Sequence, residues 1–266
     1  MKPILGLFIF SFINIFIQAY LSKSICHFCG KQLNLIKSVA INVYGALMGI
    51  IMPMGSIGYK AIYLKNNLGL SYSHYASFYG ISIIAAFNAS LLLLFLISFT
   101  SNSNLSTQLV LLLMNFISNS ILFLRKPIGH FLNSAITQKI KESLLCEAFT
   151  SKYLKLFIIH SFSLSCFTLM YFFAFKSFNT ESTLLSIAAL VAVQNLLFLI
   201  PLIPGNFVIL ESTAAWIMQF QNIYHYDTVL AVLLLRAISL ICIILLVFFS
   251  NFSFPLKSFL KTKRLS

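Results

Sequence analysis

The stretch Ile200-Pro-Leu-Ile-Pro-Gly-Asn-Phe-Val-Ile-Leu-Glu211 follows a long apolar run and ends in a carboxylate. Pro201 and Pro204 each lack a backbone N–H and fix φ, so an α-helix does not pass through unbroken. Gly205 and Asn206 both tolerate positive φ, which lets the chain turn there. A second, shorter helix is expected over 208–221. A broken helix within apolar sequence is costly in lipid unless protein or a water-filled cavity surrounds it. Glu211 adds to that cost, because an acid inside a membrane needs a partner. Arg236 is the one charge within the last apolar span, and it is the expected partner.

The rest of the chain agrees with a membrane setting. Of 266 residues, 59% are hydrophobic and 9% charged, with 28 Phe and a mean hydropathy of +0.94. A soluble domain carries roughly 25% charged residues. The net charge of +13 does not point to nucleic acid, because the basic residues sit in short segments between apolar runs. That is the positive-inside pattern. Five scattered cysteines form no dense disulfide framework. The first apolar run has no small-x-small cleavage site after it and reads as a retained span.

Apolar spans are expected at 3–21, 38–54, 76–100, 107–124, 156–175, 183–203 and 228–250. The polar segment 125–155 has apolar positions every four residues at Leu132, Ile136, Ile140, Leu144 and Ala148. That spacing predicts an interfacial amphipathic helix over about 128–150. Placing 23–37, 55–75, 125–155 and 251–266 in the cytoplasm gathers there every Lys and Arg except Lys2, Lys176 and Arg236. This puts the C-terminus inside and the N-terminus outside. It also requires the segments broken at Pro53 and Pro204 to leave from the side they entered, as hairpins.

At an offset of 151, Pro53 falls on Pro204, His74 on His225 and Tyr75 on Tyr226. Under the charge assignment the two hairpins open to opposite sides, which describes an inverted repeat with a site near the midplane. The fold class is therefore all-α: one polytopic helical membrane domain, with two Pro-Gly-broken hairpins and pseudo-repeat halves at about 38–100 and 183–250.

Pro204-Gly-Asn-Phe-Val-Ile-Leu-Glu211 followed by Arg236 resembles the Pro-Gly-Gly-x-Gly-x-x-Glu … Arg pattern of the lysylphosphatidylglycerol synthase transmembrane-region family, which are flippase-like integral membrane proteins. Pro53-Met-Gly-Ser-Ile-Gly58, followed by Lys60 and Leu64, resembles that family's first Pro-Gly element. The resemblance implies a bacterial inner-membrane protein that moves or handles anionic phospholipid or polyprenyl-linked glycolipid in cell-envelope synthesis. A membrane enzyme, or enzyme subunit, modifying such a lipid is the alternative. The implied partners are membrane lipids and envelope-synthesis enzymes. Tyr59, Lys60, Ala85, Asn206 and Ile209 depart from the family pattern. The chain looks one span short at its start and has no soluble domain of aminoacyl-transferase size, so lipid lysylation by it alone is not expected.

The expected site comprises Glu211, Arg236, Pro204, Gly205, Asn206, Pro53, Gly55 and Lys60. A guanidinium offers phosphate a planar pair of donors. Helix starts after the two Pro-Gly breaks would offer it free N–H groups. The bland alternatives are a structural ion pair and ordinary loop punctuation. Cys26-His-Phe-Cys29 is half of a zinc or redox motif with no second half in the sequence, and reads as two loop thiols. His160 reads as a hydrogen-bonding residue within the bundle. No cofactor, metal or ATP-binding motif is read.

Overall fold

The computed structural model describes residues 2–52, 54–100, 111–114, 149–198, 209–219 and 225–249. Eight helices account for most of them: α1 (Lys2–Phe28), α2 (Leu35–Ile51), α3 (Gly55–Leu68), α4 (Tyr72–Thr100), α5 (Phe149–Ser177), α6 (Leu184–Phe198), α7 (Ile209–Gln219) and α8 (His225–Phe249). Residues 128–148 of the expected interfacial helix, Pro53 and the break at Pro204-Gly205 lie outside the described residues.

Four helices, α1, α4, α5 and α8, are long and apolar enough to cross a membrane, so the chain is an all-α integral membrane protein. The other four have 17, 14, 15 and 11 residues. A crossing takes about 20, so α2 and α3 are short for a span of their own, and α6 and α7 are short over the described residues. α1 shows how the sequence sorts its faces. Leu5, Ile9, Ile13, Phe16 and Tyr20 form an exposed apolar stripe at helical spacing, while Ser11 and Asn14 are buried on the inner side. This reverses the soluble pattern and suits lipid outside and protein inside.

The order long, short, short, long occurs twice, as α1–α4 and α5–α8. This pairing by length takes in α1 and α5, beyond the halves at about 38–100 and 183–250 expected from the side-chain identities. The turns recur as well. After α1 the chain turns through Gly30 and after α5 through Asn179, both in the left-handed region (φ 73° and 55°). In each case an N–H shortly beyond reaches back into the last helical turn: Lys31 to the Cys26 carbonyl at 3.0 Å and Thr180 to the Phe175 carbonyl at 3.3 Å. These bonds satisfy carbonyls that a helix end leaves open.

α1 and α5 pack antiparallel along their length. Phe10 stacks on Phe173 at 5.7 Å, Gln18 bonds Ser163 at 2.9 Å, and Lys155 lies over the Tyr20 ring at 5.4 Å. The remaining contacts between halves come in exchanged pairs: α4 with α5 and α8 with α1, α4 with α6 and α8 with α2. Two apolar cores are buried, each centred on one half and completed by the other. Neither core is closed on itself: one gathers Ile25, Ile41, Leu64, Phe78 and Ala85 but takes in Tyr153, Leu156 and Ile159 of α5, and the other gathers Met170, Ile187, Leu190, Met218 and Val232 but takes in Leu7 of α1 and Ala89 of α4. The antiparallel α1–α5 pairing and the exchanged contacts agree with the expected inverted repeat.

Charge separates along the same axis. The end of α1, the start of α2 and the start of α5 carry Lys23, Lys31, Lys37, Lys152 and Lys155. Lys152 sits 5.2 Å over the Phe78 ring and 5.7 Å over that of Phe28, so aromatic and basic side chains form a belt there. The opposite end of α5 carries Lys176, with Glu181 shortly after it.

Candidate functional site

A cavity of about 390 Å³ lies between the two halves. Its wall takes Ser11, Asn14 and Gln18 from α1, Asn42 from α2, Lys60 from α3, Gln194 and Asn195 from α6, and Arg236 from α8. Amides and cations at this density are expensive inside a bundle of apolar helices, which marks the cavity as the place where the chain tolerates polarity.

The amides are held by a network that spans the halves. Ser163 donates to Asn14 Oδ1 at 3.1 Å and accepts from Gln18 Nε2 at 2.9 Å. Asn42 donates to Ser22 Oγ at 2.9 Å and to the Ser38 carbonyl at 2.8 Å. Asn195 donates to Ser90 Oγ at 2.8 Å, and Gln194 is hydrogen-bonded to Tyr171. The Ser11 hydroxyl is buried with no hydrogen-bond partner among the described residues.

Arg236 and Glu211 meet as expected. Arg236 Nη1 stands 3.0 Å from Glu211 Oε1, with both side chains largely buried. The contact is an ion pair rather than an aligned hydrogen bond, since neither carboxylate oxygen has a hydrogen-bonded partner of good geometry. The pair ties α7 to α8 within the second half. Arg236 belongs to the cavity wall and Glu211 does not, so Glu211 reaches the cavity through Arg236.

The first half is built differently at the matching positions. The offset of 151 that aligns the two His-Tyr pairs sets Lys60 against Glu211 and Ala85 against Arg236. Ala85 is fully buried in the core of the first half. Lys60 lines the cavity and makes neither a hydrogen bond nor an ion pair among the described residues.

Gly55 has a steric task instead of the anion-facing one expected for it. A Cβ there would overlap the Met48 carbonyl, and its N–H already bonds the Met52 carbonyl at 3.1 Å. Met54 before it takes a left-handed backbone (φ 57°) to start α3. Pro53, Pro204, Gly205 and Asn206 lie outside the described residues.

Cys26 ends inside α1 rather than in a loop, and both it and Cys29 are buried. Burial pushes the Cys29 thiol up to about 12, with the neighbouring Cys26 adding to the shift and Lys152 opposing it. No cluster of three or more His, Cys, Asp or Glu able to hold a metal occurs among the described residues. His160 bonds Ser82 of α4 at 2.9 Å.

The residues not anticipated are the amides of α1, α2 and α6 and the pair Gly45 and Gly49. Ser11, Asn14 and Gln18 recur on one face at helical spacing, a signal present in the sequence. Gly45-Ala-Leu-Met-Gly49 has the small-xxx-small spacing of close helix pairs, and Gly49 packs against Ser56.

Comparison of the chain with protein-family models, curated proteins and solved structures finds no match.

Proposed function

We propose that the chain is a flippase-like membrane protein that moves or handles anionic phospholipid or polyprenyl-linked glycolipid during cell-envelope synthesis, in a bacterial cytoplasmic membrane. The observation that carries this reading is the cavity between α1–α4 and α5–α8, with Lys60, Arg236 and the amides of Asn14, Gln18, Asn42, Gln194 and Asn195 on its wall. Its volume falls within the roughly 300–1,000 Å³ of small-ligand sites, enough for a headgroup whose chains remain in lipid. A site between opposed halves can face either side of the membrane in turn as one half rocks on the other.

The basic end of the bundle is assigned to the cytoplasm on the positive-inside rule. This keeps the N-terminus outside. Envelope-synthesis enzymes are the proposed protein partners, while the basic segment 125–155 is read as a topology determinant.

A lipid-modifying enzyme at the same place would need Glu211 as its acid or base. The position of that carboxylate behind Arg236 argues against direct contact with a ligand. The test is translocation of a fluorescent anionic phospholipid in reconstituted vesicles. Arg236→Ala is expected to abolish it while the purified protein stays monodisperse. Wild-type rates in that variant would refute the site.

A further inference from the structure

We propose that Lys60 is the cation that carries the ligand's charge, and that the cavity selects a phosphate group bearing one negative charge. This deepens the reading above and rests on it for the source of the phosphate, a lipid headgroup.

The argument starts from charge balance. Two cations line the cavity. Glu211 stands 3.0 Å from Arg236 and offsets it. Lys60 has no such partner, so over the described residues the wall holds one uncompensated positive charge. In a poorly solvated site an uncompensated charge is costly, and a ligand that neutralises it is favoured. A phosphodiester brings one negative charge and closes the balance. A phosphomonoester brings nearly two and leaves one unmatched. A zwitterionic diester adds a cation, and no carboxylate among the described wall residues is there to receive it.

The packing keeps the lysine in place. Long basic side chains near a membrane surface ordinarily reach back toward water. Lys60 instead lies across α2 at Gly45: a Cβ built there would stand 3.1 Å from Lys60 Cε and 3.3 Å from Ser56 Oγ. Gly45 is ten residues into α2, about 15 Å from its start at the helical rise per residue. The missing side chain at Gly45 is what gives the lysine stem its passage to the cavity. The Ser11 hydroxyl, also on the cavity wall, has no hydrogen-bond partner among the described residues and is a second donor.

The test uses the full chain in detergent. Thermal stabilisation is titrated with dioctanoyl phosphatidylglycerol, dioctanoyl phosphatidylcholine, dioctanoyl phosphatidic acid and dimethyl phosphate. Wild type is expected to bind the glycerol lipid most tightly. Lys60→Gln should weaken it about tenfold or more, the scale of a lost charge-assisted hydrogen bond, and erase its advantage over the choline lipid. Lys60→Arg should keep that advantage. Gly45→Ala, which crowds the stem without changing any charge, should reduce it.

Preference retained in Lys60→Gln, tighter binding of phosphatidic acid by wild type, or no response to any phosphate probe overturns the proposal. Lys60-dependent binding of dimethyl phosphate without lipid binding would keep Lys60 as the anion site and remove the lipid source. Transport lost in Arg236→Ala while Lys60→Gln keeps its lipid preference would leave the flippase reading standing and remove this one.

Discussion

Asn14 on α1 and Ser163 on α5 hydrogen-bond to one another at 3.1 Å, and each holds the same place in its own half. The interval between them, 149 residues, also separates Gly30 from Asn179 and the start of α2 from the start of α6. Residues at corresponding places in the two halves thus meet directly across the α1–α5 contact. Ser163 also accepts from Gln18, and replacing it leaves two amides without that partner. Ser163→Ala is therefore expected to cost about 0.6–1.7 kcal/mol, the range for interhelical hydrogen bonds in membranes. A melting temperature unchanged from wild type in detergent would show that the halves are not held here.

Gly55 is expected to tolerate no larger residue. The Met48 carbonyl occupies the space its Cβ would need, and a backbone atom cannot rotate aside as a side chain can. Gly55→Ala must open the α2–α3 hairpin, at about 1–3 kcal/mol by analogy with overpacked cores. Gly58, with open space around it, is the control. Gly58→Ala should match wild type in yield and melting temperature, and equal losses in the two variants would contradict the packing argument.

Cys29 tests whether the end of α1 is as closed as the packing indicates. Burial raises its thiol to about 12, and the thiolate is the reactive form. The neutral thiol therefore dominates at every pH below that value, and alkylation should be negligible at pH 7–9. In a chain whose other cysteines are replaced by serine, maleimide labelling at pH 8 is expected only after denaturation. Rapid labelling of the folded protein would place Cys29 in water.

Much of this arrangement could be read before any coordinates. The helices on either side of the 200–208 segment, α6 and α7, fall where the apolar run before Pro201 and the helix expected over 208–221 placed them. Glu211 and Arg236 were matched because each is a lone charge in its own apolar segment, and burial leaves few other solutions. The extent of the repeat was not readable, because α1 and α5 share a fold and a turn but few side-chain identities. Gly30 and Asn179 do the same left-handed work with different residues, a likeness of backbone that a search for identical letters passes over. The role of Lys60 was half visible. Its charge stood out, but its depth depends on Gly45, and a contact between two helices is not written in the spacing along one of them.

The Glu211–Arg236 pair can be separated into what it does for the fold and what it does for a ligand. Removing one partner of a buried ion pair leaves the other charge uncompensated, at about 3–5 kcal/mol where burial is deep. The two side chains here keep 17% and 15% of their exposure, so the lower end of that range is expected for Glu211→Ala. Replacing both at once removes the uncompensated charge, so Glu211→Gln with Arg236→Met should recover most of the lost stability. The double variant still has no guanidinium on the cavity wall, and under the proposed function its lipid translocation should stay absent. Stability and transport returning together would make Arg236 a structural residue alone. Stability returning without transport is the outcome expected if the cavity is the site.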